Sequence, residues 1–223
     1  MGELRFATLR RVRPVSRAFG TDRGGLSIDR HYIEQFLAGR GSDIHSHVLE
    51  IGDNCYTTAF GGHQVLASDV AHVEEGHEEA NLVVDLASGR GLLPEAYDCV
   101  ILTQTLQFIW HIHAAVRTLH CILKPGGVAL VTLPGISQIS RYDSERWGEY
   151  WRFTNLGAEK LFAEVFGAER VSVKTYGNVL SAAAFLYGLT SDELRPREID
   201  DRDPDYQVIL GVRAQKAGAD RTG

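Results

Sequence analysis

Residues 97–134 read YDCVILTQTLQFIWHIHAAVRTLHCILKPGGVALVTLP, and this stretch decides the fold. Cys99 to Leu102 is a short apolar run with β-branched side chains, which suits a strand buried on both faces. A polar break follows at Thr103 and Gln104. Apolar residues then recur at Ile112, Ala115, Val116, Leu119, Ile122 and Leu123, the three-and-four spacing of one helical face. Lys124-Pro125-Gly126-Gly127 ends that helix, because proline cannot continue it and glycine supplies positive φ. Val128 to Leu133 is a second continuous apolar strand. Strand, helix and strand with short connections predict a right-handed βαβ unit in a parallel sheet. Ligands of such sheets lie beyond the carboxyl ends of the strands, so residues 103–112 and 135–152 are the first places to look for a site.

The whole chain agrees with an α/β protein. At 223 residues and 44% hydrophobic content it is long enough to bury a core and too apolar to be disordered. A net charge of −6 and a pI near 5.8 argue against a nucleic-acid partner and favour a cytoplasmic protein. Cys55, Cys99 and Cys121 form no CxxC pair and are expected as buried thiols in a reducing compartment. No apolar run approaches a membrane span, and the first residues lack the apolar core of a signal peptide. No repeat or composition shift divides the chain, which predicts one domain.

Other segments build outward from the βαβ unit. Residues 1–25 carry six arginines and little periodicity, which suits either a cover over the site or a basic segment packed on the acidic body. From Ser27, an N-cap residue type, Ile28, Tyr32, Ile33, Phe36 and Leu37 share one helical face as far as Gly39. Val48-Leu49-Glu50-Ile51-Gly52 predicts the first strand, with a carboxylate near its end. Residues 64–68 predict a second, with Asp69 at its end about twenty residues after Glu50, where nucleotide-binding units hold the acid that bonds ribose hydroxyls. Leu82-Val83-Val84 predicts a third, ending in Asp85 and Leu86. Three strands thus deliver an acid or a glycine to the same end of the sheet. Beyond residue 134 the pattern predicts a helix over 155–165 facing inward through Leu156, Leu161, Phe162 and Val165. A strand over 171–176, a helix over 178–189 and a last strand over 206–213 follow.

In that order, VLEIGDN, Asp69, VVDL, YDCVILTQTLQFI and LHCILKPGGVALVTLPG resemble the successive motifs of class I S-adenosylmethionine-dependent methyltransferases, nearest in pattern to the small bacterial methyltransferase type 11 proteins. The resemblance covers residues 48–135 by motif and 137–213 by order of elements only. It implies a doubly wound, mostly parallel α/β sheet of seven strands whose last strand is antiparallel. Residues 1–40 would be an N-terminal arm and helix and 48–135 the cofactor-binding core. Residues 136–213 would be the acceptor side with the C-terminal strands, and 214–223 a tail. S-adenosyl-L-methionine is the implied cofactor. Glu50 and Gly52 would border its methionine part, with Asp53 beside them; Asp69 would accept the ribose hydroxyls. Asp85 and Leu86 would flank the adenine, and Thr103 and Gln104 would lie under the sulfonium. Two positions depart from the family. Members usually carry three alternating glycines after the first strand, whereas only Gly52 stands here, before Asp53-Asn54-Cys55-Tyr56. Relatives often read leucine-glutamate-histidine after the fourth strand, and this chain reads Leu106-Gln107-Phe108.

The expected reaction is methyl transfer to an oxygen, less readily a nitrogen, of a small polar acceptor such as a sugar, a carboxylate or a natural-product intermediate. His111, at the start of the helix, and Asp143 are the candidate bases. The alternative for His111 is a solvent-facing residue at a helix start. His111 and His113 lie two apart and point to different helical faces, so no shared metal is expected. Arg141, Tyr142 and Trp147 are the candidate acceptor-binding residues, since rings wall a ring-shaped acceptor and arginine clamps an anion. The alternative has the tryptophans stapling the next helix to the core. Two other functions stay open: a nicotinamide-dependent Rossmann enzyme, and a methyltransferase-fold accessory protein that binds without transferring a methyl group. Neither nucleic acid nor membrane is expected as a partner, and a homodimer is left open.

Overall fold

Seven stretches pair into one sheet in the computed structural model, which describes residues 11–219. In chain order they are β1 (Ser46–Ile51), β2 (Val65–His72), β3 (Leu82–Val83), β4 (Tyr97–Thr103), β5 (Leu123–Pro134), β6 (Val171–Tyr176) and β7 (Ile209–Gln215). Across the sheet their order is β3-β2-β1-β4-β5-β7-β6. Only β7 runs antiparallel to its neighbours. The order reverses between β1 and β4, where open α/β sheets form a ligand crevice.

Helices cover both faces. On one side lie α1 (Ile28–Ala38), α5 (Val179–Leu186) and α6 (Pro196–Asp200); on the other lie α2 (Ile112–Ile122) and α4 (Asn155–Phe166). The α1 stripe Ile28, Tyr32, Ile33, Phe36 and Leu37 is wholly buried, as is the α2 stripe Ile112, Ala115, Val116, Leu119 and Ile122. Each large side chain on these stripes contributes about 1.5–3 kcal/mol by leaving water. The lysine-proline-glycine-glycine segment ends α2 as expected, and the β4–β5 register shifts there. Lys124 donates to Asp98 at 2.6 Å. Burial opposes ionisation of Asp98, but Lys124 and the bond from the His47 N–H together hold that carboxyl below the usual range. A Cβ on Gly127 would stand 2.9–3.1 Å from the carbonyl oxygens of Lys124, Asp98 and Tyr97, so glycine is required at that turn.

Four expectations are corrected. Strand β2 runs past residue 68 to His72, because Val70 and Ala71 continue the apolar run and are buried. Asp69 therefore lies inside the strand, opposite Leu49. Leu156 is exposed, since it falls off the Ala158, Leu161, Phe162 and Phe166 stripe that α4 buries. Of the three thiols only Cys99 is buried; Cys121 sits on the outward side of α2, and Cys55 is exposed. The last strand begins at Ile209, after a turn. Among the described residues, no helix is long and apolar enough to cross a membrane.

Helix α1 lies so close to the sheet that a Cβ on Gly211 of β7 would overlap the Phe36 ring. Gly211→Ala is therefore expected to cost about 1–3 kcal/mol through overpacking, read by urea denaturation. An unchanged midpoint would mean that α1 shifts without cost.

Candidate active site

The carboxyl ends of the strands from β1 to β5 open onto one cavity of ≈ 830 Å³. That lies within the about 300–1,000 Å³ of small-molecule sites. At the end of β1, Glu50 is 1% exposed. It accepts from the backbone N–H groups of Tyr56 (3.2 Å) and Thr57 (2.8 Å) and from the Thr57 hydroxyl (2.6 Å). Burial still pushes its carboxyl up. Gly52 lines the cavity with φ +94° and open space where a Cβ would stand, so a ligand can meet bare backbone. Asp53 accepts from the Cys55 N–H at 2.9 Å, which opens the helical turn leading to Thr57–Gly61. Among the described residues, positive φ outside glycine occurs only at Phe19, Ser46, Glu95 and Gln104. The loop after β1 thus needs one left-handed residue, where the family pattern offers three glycines.

After β2 the cavity is lined by His72, Val73, Glu74 and His77; Asp69 is not among its walls. The Asp69 carboxylate instead meets His47 Nε2 (2.8 Å), the Tyr97 hydroxyl (3.1 Å) and Asn81 Nδ2 (2.7 Å). Burial opposes its ionisation, yet these partners hold the carboxyl below the usual range. Burial and that same carboxylate push the Tyr97 phenol up. Asp85 and Leu86 line the wall after β3. Asp85 accepts from the Ser88 hydroxyl (2.7 Å) and the Ala87 N–H (2.8 Å), bonds that lower its carboxyl. After β4, Thr103 and Gln104 complete the row. Gln104 is held at φ +46° by bonds from its backbone N–H (3.1 Å) and side chain (3.3 Å) to Thr132.

A second layer comes from residues 137–152, which include the short α3 (Arg141–Trp147). Glu149 pairs with Arg152 at 2.6 Å and accepts from the Ser140 N–H at 2.8 Å. The Trp151 indole donates to the Ile109 carbonyl at 3.0 Å, so this tryptophan is a staple. Tyr142, Trp147 and Tyr150 line the cavity together with Gly52 and Thr103, whereas Arg141 does not reach it. His111, exposed at the N-cap of α2, and Asp143 also line it. Asp143 accepts from the Ser140 hydroxyl at 2.7 Å and is occupied in capping α3. His113 points elsewhere, 3.3 Å from Glu164. No cluster of three metal-ligating side chains occurs among the described residues.

The N-terminal segment closes the remaining side. Phe19, Thr21, Ser27, Asp29 and Arg30 line the cavity, so the described part of residues 1–25 includes a cover. Val15 and Ser16 anchor it through N–H bonds to the Tyr187 carbonyl, and Arg23 pairs with Glu193. Residues 1–10 lie outside the described ones. Arg30 donates to the Tyr56 hydroxyl at 2.5 Å. Carboxylates outnumber cations on the wall, with Asp29, Glu50, Asp53, Glu74, Asp85, Asp143 and Glu149 against Arg30 and Arg146, which suits a cationic ligand.

Glu74, Gln107 and Trp110 are wall residues that the sequence reading did not assign to the site. For Glu74 a signal existed, since Val70 and Ala71 extend the strand beyond Asp69. The other two come from tertiary packing and leave no local signature.

A family model described as a methyltransferase domain matches residues 19–169, more than half of the chain. No curated protein matches the sequence. Among solved structures, the chain is similar to the Burkholderia thailandensis 1,6-didemethyltoxoflavin-N1-methyltransferase, at TM-score 0.54 and 13% identity over 90% of this chain and 84% of that one. It is similar to the N-methyltransferase NodS of Bradyrhizobium japonicum at TM-score 0.51 and 14% identity, over 91% and 94% of the two chains. A third likeness is to the [4+2]-cyclase SpnF, at TM-score 0.53 and 15% identity over 86% and 83%. At these identities the likeness is one of fold.

Proposed function

Because the chain belongs to the methyltransferase-domain family, we propose that it moves the methyl group of S-adenosylmethionine to a hydroxyl oxygen of a small polar acceptor. One observation carries the reading. Gly52, Glu74, Asp85 with Leu86, and Thr103 stand in succession at four strand ends around one cavity. This donor set fits the cofactor. Gly52 allows close approach to its methionine part, and Glu74, an exposed residue on the wall, takes the place expected of Asp69 toward a ribose diol. Asp85 keeps free lone pairs for an exocyclic amine beside the apolar Leu86. Glu50 holds the loop that carries Gly52. Bound there, the cofactor supplies an electrophilic methyl group on a sulfonium.

The chain's own part is alignment and proton removal. Residues 137–152 and the N-terminal cover hold the acceptor in line and keep water out. His111 takes the proton that the hydroxyl loses. His111→Asn is expected to lower kcat by about 10²-fold or more, with affinity for S-adenosylhomocysteine kept within roughly twofold. Equal kcat would leave positioning alone and remove His111 as the base.

One observation favours a second reading, binding without transfer: Tyr56, bonded to Arg30, stands beside the loop that the family keeps free of bulk. Calorimetry with S-adenosylhomocysteine and with NAD, followed by ¹³C NMR of products made with methyl-labelled cofactor, separates the readings. Oxygen, nitrogen and carbon methyl groups differ in shift. A protein that binds neither S-adenosylmethionine nor its demethylated product defeats the proposal.

A further inference from the structure

Gln107 has an incomplete set of bonds in a place where incompleteness is costly. It is 4% exposed and lines the cavity just after β4. Its Nε2 donates to the Gln104 carbonyl at 2.8 Å. A carbonyl only accepts, so this bond fixes the amide with nitrogen toward Gln104 and oxygen away from it. That Oε1 is buried and meets no donor among the described residues. An acceptor left in this state is unfavourable until something donates to it. Gln104, whose carbonyl takes that bond, is itself bonded to Thr132 in a left-handed conformation.

The same residue is tied to an aromatic wall. The Gln107 carbonyl accepts from the Tyr150 N–H at 2.8 Å. Tyr150 stands edge-on to Trp110 at 5.4 Å, and Trp110 stacks on Trp151 at 5.4 Å and 22°. Trp110 nevertheless remains 60% exposed and lines the cavity. An open indole and the residue that carries a buried, unpaired oxygen thus line one cavity.

We propose that Gln107 determines acceptor specificity. Its Oε1 receives an O–H of a polyhydroxylated ring whose flat side lies against Trp110, and this hydroxyl is a neighbour of the one methylated. The substrate class is a ring bearing at least two hydroxyls, phenolic or sugar. An O-alkylated analogue is rejected because it leaves Oε1 unpaired in a dry site. The inference rests on the methyltransferase reading of the cavity and names the substrate class for it.

The test uses the full chain saturated with S-adenosylhomocysteine and two probe pairs. One pair is catechol and 1,2-dimethoxybenzene; the other is methyl α-glucopyranoside and its permethylated form. In at least one pair the hydroxylated member is expected to bind about three- to tenfold tighter. Gln107→Leu is expected to abolish that preference and leave affinity for S-adenosylhomocysteine intact. The discriminating pair identifies the ring as aromatic or sugar. The assignment is overturned if neither pair discriminates, if the preference survives in Gln107→Leu, or if that variant loses the cofactor product instead. Should Gln107→Leu not fold, a crystal structure of wild type with the preferred probe decides. A probe hydroxyl bonded to Oε1 supports the assignment, and a water or cofactor atom there overturns it. Absence of S-adenosylhomocysteine binding defeats the methyltransferase reading as well, whereas bound product without discrimination defeats only the role of Gln107.

Discussion

Replacing Glu74 by alanine is expected to weaken S-adenosylhomocysteine binding by about 1.5–3 kcal/mol, roughly ten- to hundredfold, the range for charge-assisted hydrogen bonds. Asp69→Ala is expected to leave that affinity unchanged and to lower folding stability by about 1–3 kcal/mol, because three donors lose their acceptor. The two variants therefore separate a ligand contact from a structural one. The pH dependence adds a signed check. Asp69 titrates below the ordinary carboxylate range in the folded protein, so its stabilisation is present above the unfolded value of about 3.9 and is lost as pH falls through the folded one. The stability gap between wild type and Asp69→Ala should thus narrow below about pH 4. Calorimetry showing the reverse pattern, with affinity lost in Asp69→Ala and kept in Glu74→Ala, would return the ribose contact to Asp69.

That contrast also shows how far the sequence could be read. The apolar stripes of α1 and α2 were legible because burial of a helix leaves a three-and-four pattern that nothing else produces. The lysine-proline-glycine-glycine turn was legible because its backbone tolerates few other residues. Asp69 was misplaced by one strand end, since a carboxylate in a half-buried strand looks the same in sequence as one at its tip. What distinguishes them is the clasp of His47, Tyr97 and Asn81, whose members lie up to fifty residues apart in the chain. Residues 103–112 and 135–152 were legible as the place of the site, but the contacts that join Gln107 and Trp110 to Tyr150 were not, for the same reason. Their meaning arises only when residues 137–152 fold back over the end of β4, and no spacing rule encodes that contact. The altered glycine loop, conversely, turned out to need less than its relatives suggest. Asp53 supplies by side-chain bonding part of what glycine supplies by backbone freedom.

Glu50→Ala is expected to be the most damaging single change at the site. The carboxylate accepts from two backbone N–H groups and one hydroxyl, and each buried donor left without a partner costs about 1–3 kcal/mol. A loss of about 2–5 kcal/mol in folding stability should follow, together with loss of S-adenosylhomocysteine binding as the loop carrying Gly52 loosens. The conservative Glu50→Gln keeps the bulk and one acceptor oxygen but turns an NH₂ toward a donor, so it should cost less than alanine and more than nothing. Its pH dependence runs opposite to that of Asp69. Burial raises the Glu50 carboxyl in the folded state, so its contribution is fully present below the unfolded value of about 4.3 and is lost as pH rises through the folded one. Wild type should therefore lose stability relative to Glu50→Gln as pH rises above about 4. Urea midpoints measured for both proteins across that window test the sign. A gap that widened with rising pH would mean that the three donors stabilise the ionised carboxylate more than burial opposes it. Glu50 would then carry a full negative charge beneath Gly52, where the ammonium group of the cofactor is expected to lie.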